Sequence, residues 1–517
     1  MDQDMSAHVE ELARRKRKAL EMGGPEKIAV QHGRGRLTAR ERVAALLDAD
    51  SFFEIGMLNH SDTAEARDTT PADGKIAGYG RIDGRDVAVY AIDATVLAGA
   101  GGRSGARKSD AITESAFKKG LPLIMCGEGG GGRIPDILTP VGIIAYPSPP
   151  GGLGDRHRRV PLVLAALGDS YGETAFAASF ADFTVQLKGA AMAVSSPRAL
   201  EIATGERPTP EELGGWEVHA RHTGLADRAA DSEEECFALI RKFLSYLPSH
   251  CGELPPRAKG DDTAAQRQAD IERLVPVASR RGYDMRKVLG TLFDAGSVLE
   301  LKPEFDRGVV TALARLDGAP VGVVANNPLF NAGSMGAEGC DKMTSFIILC
   351  DSFHVPLIFL CDTPGFFISK KAEHRRVSGK ITSLWVALRE ASVPKLSVIL
   401  RKAYGAGYFA MGGPRMGMDW QFAWPTAEIG FVAPEVAANI MHARRIAESP
   451  DPDALRAELI EQMKSANAPW SAAGEHYLDD IIRPADTRAV LIRSLELARR
   501  ANGGFGQRRL AQWPPCF

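Results

Sequence analysis

The chain states one design twice. Val160-Pro161-Leu162-Val163-Leu164 leads into Gly168-Asp169-Ser170-Tyr171-Gly172-Glu173-Thr174-Ala175-Phe176, an apolar run that ends in a Tyr-Gly turn. Val393-Pro394-Lys395-Leu396-Ser397 leads in the same way into Arg401-Lys402-Ala403-Tyr404-Gly405-Ala406-Gly407-Tyr408-Phe409. Pro161 and Pro394 stand 233 positions apart, as do Tyr171 and Tyr404. Leu121-Pro122-Leu123-Ile124 before Gly127-Glu128 matches Val355-Pro356-Leu357-Ile358 before Cys361-Asp362 at a spacing of 234. Arg81-Ile82-Asp83-Gly84 matches Arg315-Leu316-Asp317-Gly318 at the same 234. Four ordered matches at nearly one spacing mark an internal duplication. A repeat this long is a whole domain, not a unit of a solenoid.

A chain of 517 residues also exceeds a single hydrophobic core. The expected division is an N-terminal domain over residues 1–246, a linker over 247–270 and a C-terminal domain over 271–517. The linker contains Leu254-Pro255-Pro256-Arg257 and is rich in Pro, Gly, Asp and Lys. A net charge of −2 gives no electrostatic case for nucleic acid or a membrane surface. Seven cysteines without a CxxC pair fit a reducing cytoplasm better than a disulfide framework or a zinc site. The longest apolar stretch, Met343 to Cys361, is broken by Asp351 and His354 and reads as a buried helix followed by a strand. The basic cluster Arg14 to Lys18 sits among Asp2, Asp4, Glu10 and Glu11, so it reads as a solvated helix and not a transit peptide.

Thr38 with Glu41 three residues on is a capping box that starts a helix. Each half shows a hairpin, Ile76–Arg81 with Val87–Ala91 and Val309–Arg315 with Val321–Ala325, turning at Asp-Gly. Short continuous apolar runs such as Leu121–Met125 and Leu357–Leu360 suit strands buried on both faces. The fold class is α/β.

The chemistry centres on the Tyr-Gly turns. Where a strand gives way to a helix, the first backbone N–H groups are free, and glycine lets that backbone approach a ligand oxygen. Two such donors on one oxygen form an oxyanion hole. One turn per half suggests a reaction with two carbonyl oxygens to polarise. One strand earlier lie Glu128-Gly129-Gly130-Gly131-Gly132-Arg133 and Asp362-Thr363-Pro364-Gly365-Phe366. The first is a candidate phosphate cradle, and its alternative is a flexible loop. Gly101 to Ser109 only superficially resembles a phosphate loop, because Arg107 stands where the second glycine belongs. Arg103, Arg107 and Lys108 stay candidates for phosphate contacts, with a solvated basic face as the equal alternative. His219 and His222 have no visible partner ligands, so no metal site is expected. Met463-Lys464-Ser465 is not a biotin-attachment setting.

Several stretches together resemble the carboxyltransferase (β) subunit of biotin-dependent acyl-CoA carboxylases, the propionyl-CoA and methylcrotonyl-CoA type. They are Gly35 to Arg42, Pro71-Ala72-Asp73-Gly74, Glu211 to Gly215, Asp362 to Phe366, Arg401 to Tyr408 and Ala423 to Glu428. The resemblance runs from about residue 8 to the C-terminus. It implies two tandem crotonase-like domains and a ring-shaped homohexamer, a trimer of dimers. Each active site would lie between the N-half of one subunit and the C-half of another. Biotin carboxylase and the biotin carboxyl carrier protein would be supplied separately. The carboxyl group would pass from carboxybiotin, borne on that carrier, to the enolate of a coenzyme A thioester. By position, Gly172 and Glu173 match the amides for the acyl-CoA thioester oxygen, and Ala406 and Gly407 those for the biotin ureido oxygen. Gly130, Gly131, Gly132, Arg133, Tyr171, Phe176, Tyr404, Gly405 and Phe409 line the substrate side by the same comparison. Gly365 and Phe366 join Ala406 and Gly407 on the biotin side. No side-chain base is required.

The departures fall in the acyl half. Ser170-Tyr171-Gly172-Glu173-Thr174 stands where the family has Cys-Ala-Gly-Gly-Ala. Glu128 to Arg133 replaces Asp-Ser-Gly-Gly-Ala-Arg, and the stretch to Arg159, with Pro147, Pro149, Pro150 and Gly151-Gly152, is rebuilt. Phe409 occupies the place of an Asp in propionyl-preferring relatives, which argues against propionyl-CoA. The Glu173 carboxylate either points away from the developing enolate or acts as a general acid or base. The leading reading is a carboxyltransferase. A biotin-independent acyl-CoA decarboxylase and a catalytically weak scaffold subunit are the alternatives.

Overall fold

The recurring apolar runs are the central strands of two mixed sheets. A computed structural model of the chain describes residues 5–146, 153, 156–261 and 263–514. Asp2, Asp4, Pro147, Pro149, Pro150, Gly151, Gly152 and Cys516 lie outside the described residues. The chain divides into two units, Met1–Glu253 and Leu254–Pro515.

Unit 1 contains β1 (Phe53–Ile55), β2 (Lys75–Ile82), β3 (Arg85–Ile92), β4 (Leu123–Gly129), β5 (Leu162–Tyr171), β6 (Phe183–Leu187), β7 (Met192–Ala193) and β8 (Arg228–Ala230). Their order is β1-β2-β3-β4-β5-β6-β8, with β7 paired to the end of β5. The pairs β1–β2 and β2–β3 are antiparallel, and the pairs from β3 onward are parallel. Parallel strands need crossovers, and the helix Arg103–Lys119 supplies the one between β3 and β4. Ile112 and Ala116 of that helix join Leu123, Met125, Leu162, Leu164 and Met192 in the core.

Unit 2 repeats the plan with β9 (Leu299–Leu301), β10 (Val309–Leu316), β11 (Ala319–Asn326), β12 (Leu357–Thr363), β13 (Lys395–Tyr404), β14 (Trp420–Ala423), β15 (Glu428–Gly430) and β16 (Asp480–Ile481). Their order is β9-β10-β11-β12-β13-β14-β16, with β15 on β13. Met343–Cys361 is, as expected, part of the helix Ala337–Ser352 followed by β12. Val310, Val321, Val323, Ile358, Leu396, Val398 and Leu491 share its core.

The repeat holds to the residue. Lys75 pairs with Ile92 and Val309 with Asn326. The β4–β5 register slips between Gly127 and Gly129, and the β12–β13 register between Cys361 and Thr363. Leu97-Ala98-Gly99 and Asn331-Ala332-Gly333 both turn through positive φ. The hairpins use Asp-Gly because both turn residues need positive φ, 50° and 77° in one and 52° and 74° in the other. The Asp48 carboxylate accepts from Asp83 N and Gly84 N at 3.0 and 2.8 Å, and Asp294 serves Asp317 N and Gly318 N at 3.1 and 2.7 Å.

Thr38 and Glu41 form the expected capping box. Arg42, in the same helix, is 1% exposed and bridges Glu128 at 2.6 Å and Glu233 at 2.8 Å. Removing one member of a buried ion network leaves charges without partners. Arg42→Met is expected to cost about 3–5 kcal/mol in denaturant unfolding. A loss below about 1 kcal/mol would contradict a supporting role for this network.

Candidate active site

Both Tyr-Gly turns sit where a central parallel strand ends and a helix begins. In unit 1, β5 delivers Tyr171 to Gly172, whose φ of 73° and ψ of −109° favour glycine, and the helix Glu173–Phe180 follows. In unit 2, β13 delivers Tyr404 to Gly405, with φ 53°, which opens the helix Gly405–Ala410. The opening residues of a helix have no intrahelical acceptor for their N–H groups. Among the described residues no other acceptor meets Glu173 and Thr174 in unit 1, or Ala406 and Gly407 in unit 2.

Gly172 differs from the expectation placed on it. Its N–H donates to the Ala193 carbonyl at 3.0 Å, which ties the turn to β7. The register of the repeat aligns Glu173 with Ala406 and Thr174 with Gly407, so the free pair in unit 1 lies one residue further along than Gly172 and Glu173.

A glycine loop faces each turn. Gly131, with φ 90°, lies against the first: a Cβ on Gly172 would stand 3.8 Å from the Gly131 Cα. In unit 2 it is Gly407, the counterpart of Thr174, that meets the loop, and a Cβ there would stand 2.7 Å from the Gly365 Cα. Parallel bridges join Gly101 to Gly132 and Met335 to Phe366, which fixes the loops at matching places. Gly130 and Gly132 are exposed, and Phe366 is half-buried.

The carboxylates at the loop starts are neutralised. Glu128 accepts from Gln31 Nε2 at 2.7 Å and meets Arg36 and Arg42 at 2.9 and 2.6 Å. Asp362 is fully buried between Arg401 at 2.8 Å, Lys402 at 2.6 Å and the Tyr283 hydroxyl at 2.9 Å. Burial, with the Asp362 carboxylate beside it, pushes the Tyr283 hydroxyl well above its ordinary range. In unit 2, Arg281, Pro328, Ala332, Pro364, Lys402 and Tyr404 line a cavity of about 290 Å³.

The basic residues fall into place differently from the sequence reading. Arg133 is 4% exposed and pairs with Asp73 at 2.8 Å and Asp136 at 3.1 Å, so it secures the loop and does not reach toward solvent. Lys108 is buried and donates to the Ala72 and Lys75 carbonyls, both at 2.7 Å. Burial lowers its pKa to about 8. Lys342 does the same for Phe305 and Val309 in unit 2, so this lysine is a repeated internal brace and not a phosphate ligand. Arg103 and Arg107 both meet Asp62. His219 bridges the Met192 carbonyl at 2.6 Å and Thr223 Oγ1 at 3.0 Å, a structural role.

The Glu173 carboxylate turns back to Lys75, whose Nζ lies 2.8 and 2.9 Å from its two oxygens. Of the two expectations for this side chain, pointing away is the one observed. Sequence reading missed Lys75 as its partner. Tyr171 is half-buried, and burial raises its hydroxyl pKa. The Tyr404 hydroxyl donates to Glu428 at 2.5 Å. Phe176 and Phe409 occupy matching places in the two units and are 39% and 38% exposed. The Phe409 ring packs edge-on against Trp385 at 6.3 Å.

A family model described as the carboxyl transferase domain matches residues 30–510. The propionyl-CoA carboxylase carboxyltransferase subunit of Haloferax mediterranei is 36% identical over 508 residues, 96% of each chain. The biotin-dependent acetyl-/propionyl-coenzyme A carboxylase beta5 subunit of Mycobacterium tuberculosis is 33% identical over 521 residues, 98% of this chain and 93% of its own. A solved structure of transcarboxylase 12S, described as a hexamer assembly with methylmalonyl-coenzyme A and methylmalonic acid bound, matches with a TM-score of 0.88 at 34% identity over 96% of each chain.

Two crotonase-like units in tandem are the architecture of a carboxyltransferase. The chain belongs to the carboxyl transferase family, with the carboxyltransferase β subunits of biotin-dependent acyl-CoA carboxylases.

Gly172→Ala tests the turn by conformation alone, since nothing lies within 3.8 Å of the added Cβ. The backbone there is expected to cost about 1–3 kcal/mol in unfolding free energy. A variant as stable as the parent would contradict the turn geometry.

Proposed function

We propose that this chain transfers a carboxyl group from carboxybiotin, carried on a separate protein, to the α-carbon (or its vinylogous position) of an acyl-CoA. The observation that carries the reading is the duplicated turn: two pairs of open amides in a chain of this family. A ureido oxygen is an acceptor without a proton to give, and the open Ala406 and Gly407 amides suit it. Carboxybiotin, when bound, supplies the carboxyl group and the nitrogen that accepts the α-proton.

The protein's own part is electrostatic. The Ala406 and Gly407 N–H groups hold the ureido oxygen, with Gly365 and Phe366 closing the other side. The Glu173 and Thr174 N–H groups hold the thioester oxygen as the α-proton leaves and negative charge gathers there. Each such donor contributes on the order of 3–4 kcal/mol of transition-state stabilisation. Gly130, Gly131, Tyr171 and Phe176 border the acyl side, and Tyr404, Gly405 and Phe409 border the second turn. Phe409, with the Trp385 and Tyr408 rings beside it, presents an apolar surface, which favours a larger or apolar acyl group if the acyl chain reaches it from the site.

Biotin carboxylase and a biotin carboxyl carrier protein are the proposed partners, and a homohexamer built as a trimer of dimers the proposed assembly. Among the described residues no helix is long and apolar enough to cross a membrane. A cytoplasmic location is part of the same proposal.

The test is loss of carboxyl from a panel of carboxylated acyl-CoAs, malonyl, methylmalonyl, longer and aromatic, with and without free biotin. Turnover that requires biotin is expected, and turnover indifferent to biotin would overturn the reading in favour of a decarboxylase. Gly407→Ala should lower the biotin-dependent rate about 100-fold or more, because the added methyl collides with the Gly365 backbone and displaces the amide. An unchanged rate in this variant would remove the second turn from the mechanism.

A further inference from the structure

One charge pair in unit 1 stands where the repeat is apolar. Lys75 opens β2 and Val309 opens β10 at the same register of their hairpins. Glu173 and Ala406 follow the two Tyr-Gly turns at matching positions. At the matching positions unit 2 carries Val309, Val324, Met343 and Ala406, where unit 1 carries Lys75, Tyr90, Ser109 and Glu173; Val309, Val324 and Met343 are buried and Ala406 is exposed. Lys75 Nζ meets both Glu173 oxygens, at 2.8 and 2.9 Å, and Ser109 Oγ at 2.9 Å. The Tyr90 hydroxyl reaches Glu173 Oε1 at 3.5 Å. Lys75 is 2% exposed, while the Glu173 side chain is 22% exposed.

A buried ion pair seldom stabilises a fold better than a well-packed apolar pair. At the buried place of Lys75 unit 2 carries Val309, so the head of this strand needs no charge for the fold. The pair is better explained by where Glu173 stands, at the first N–H of a helix whose amides remain open. An uncompensated carboxylate at that place would oppose negative charge building on a nearby oxygen.

We propose that Lys75 is a positioning residue of the acyl side: it draws the Glu173 carboxylate back from its own amide and cancels its charge, so the thioester oxygen becomes anionic beside a neutral pair. This rests on the proposed role of the Glu173 amide. The other ionisable groups facing the pair are Asp110 and Lys108 on the helix Arg103–Lys119, Tyr90 on β3 and Tyr146. Burial raises Asp110 to about 6 and lowers Lys108 to about 8, and both are common to every variant below, so the comparison between variants isolates Glu173. Lys75 is the cation in contact with Glu173.

The test uses the full chain as parent, K75M, K75R, E173Q and K75M/E173Q, from about pH 6 to 9. Thermal unfolding and biotin-dependent carboxyl loss from the best thioester of the panel are both followed. In K75M the half-buried Glu173 carboxylate loses its cation and stays beside Tyr90 and Asp110, so the folded state disfavours its ionised form. The resulting instability is present at high pH and is relieved as the carboxylate takes up a proton toward acid. The Tm of K75M should therefore climb toward acid relative to K75M/E173Q, which lacks that carboxyl group. The rate of K75M should fall about 10- to 100-fold at the alkaline end and recover toward acid. K75R should restore much of it. E173Q, which leaves a positive charge behind, should lose less than K75M. If K75M does not fold, K75Q is read in its place.

Superimposable pH profiles for K75M and K75M/E173Q, in both Tm and rate, would overturn the proposal. So would an E173Q loss as deep as that of K75M. A parent without turnover on any thioester, together with a persisting Tm split, would instead retain the charge cancellation and overturn the carboxyltransferase reading.

Discussion

Close approach of two backbones without side chains between them is the constraint on which each unit depends. In unit 2 the Gly365 and Gly407 backbones lie so near that a single Cβ would stand 2.7 Å from the facing Cα. In unit 1 the loop glycine Gly131 faces Gly172 instead, at 3.8 Å from a Cβ placed there, while the counterpart of Gly407 is Thr174. Such approach leaves the amides of Glu173, Thr174, Ala406 and Gly407 without a protein acceptor among the described residues. Helix termini supply the donors, since their first N–H groups have no partner within the helix. The remaining structure holds those segments still: a parallel strand behind each turn, and a short parallel bridge beside each loop.

Charge compensation is solved differently in the two units. Both carry an acid at the start of the glycine loop, Glu128 and Asp362. Asp362 takes its cations from the neighbouring strand, Arg401 and Lys402. The matching places in unit 1 are Gly168 and Asp169, and the cations come instead from Arg36 and Arg42 near the N-terminus. Gly168 is required there, because a Cβ would stand 2.3 Å from the Glu128 carboxyl carbon. Duplication preserved the backbone, and the two copies then found separate ways to bury the same charge. Their buried lysines, Lys108 and Lys342, kept one solution, bracing main-chain carbonyls.

Much of this was legible in the sequence. The spacing of 233 to 234 foretold two matching sheets, and the Asp-Gly turns, the Thr38 capping box and the helix–strand reading of Met343–Cys361 followed from local chemistry. Side-chain destinations were not legible. Arg133 and Lys108 look like surface cations in a glycine-rich stretch, yet folding turns them onto Asp73, Asp136 and main-chain carbonyls. Gly172 looked like an amide donor, but its N–H pairs with β7, a strand of only two residues. Lys75 left a usable signal: at the spacing of the repeat it falls opposite Val309, a charge at the head of a strand whose counterpart is apolar.

The central claim is that the two turns polarise two different carbonyl oxygens. The most direct measurement is a crystal structure of the protein with biotin and an unreactive acyl-CoA analogue that retains the carbonyl. The account predicts the acyl oxygen about 3 Å from the Glu173 amide and the ureido oxygen at that distance from the Ala406 and Gly407 amides. Both oxygens at one unit, or either turn left without a ligand oxygen, would contradict it.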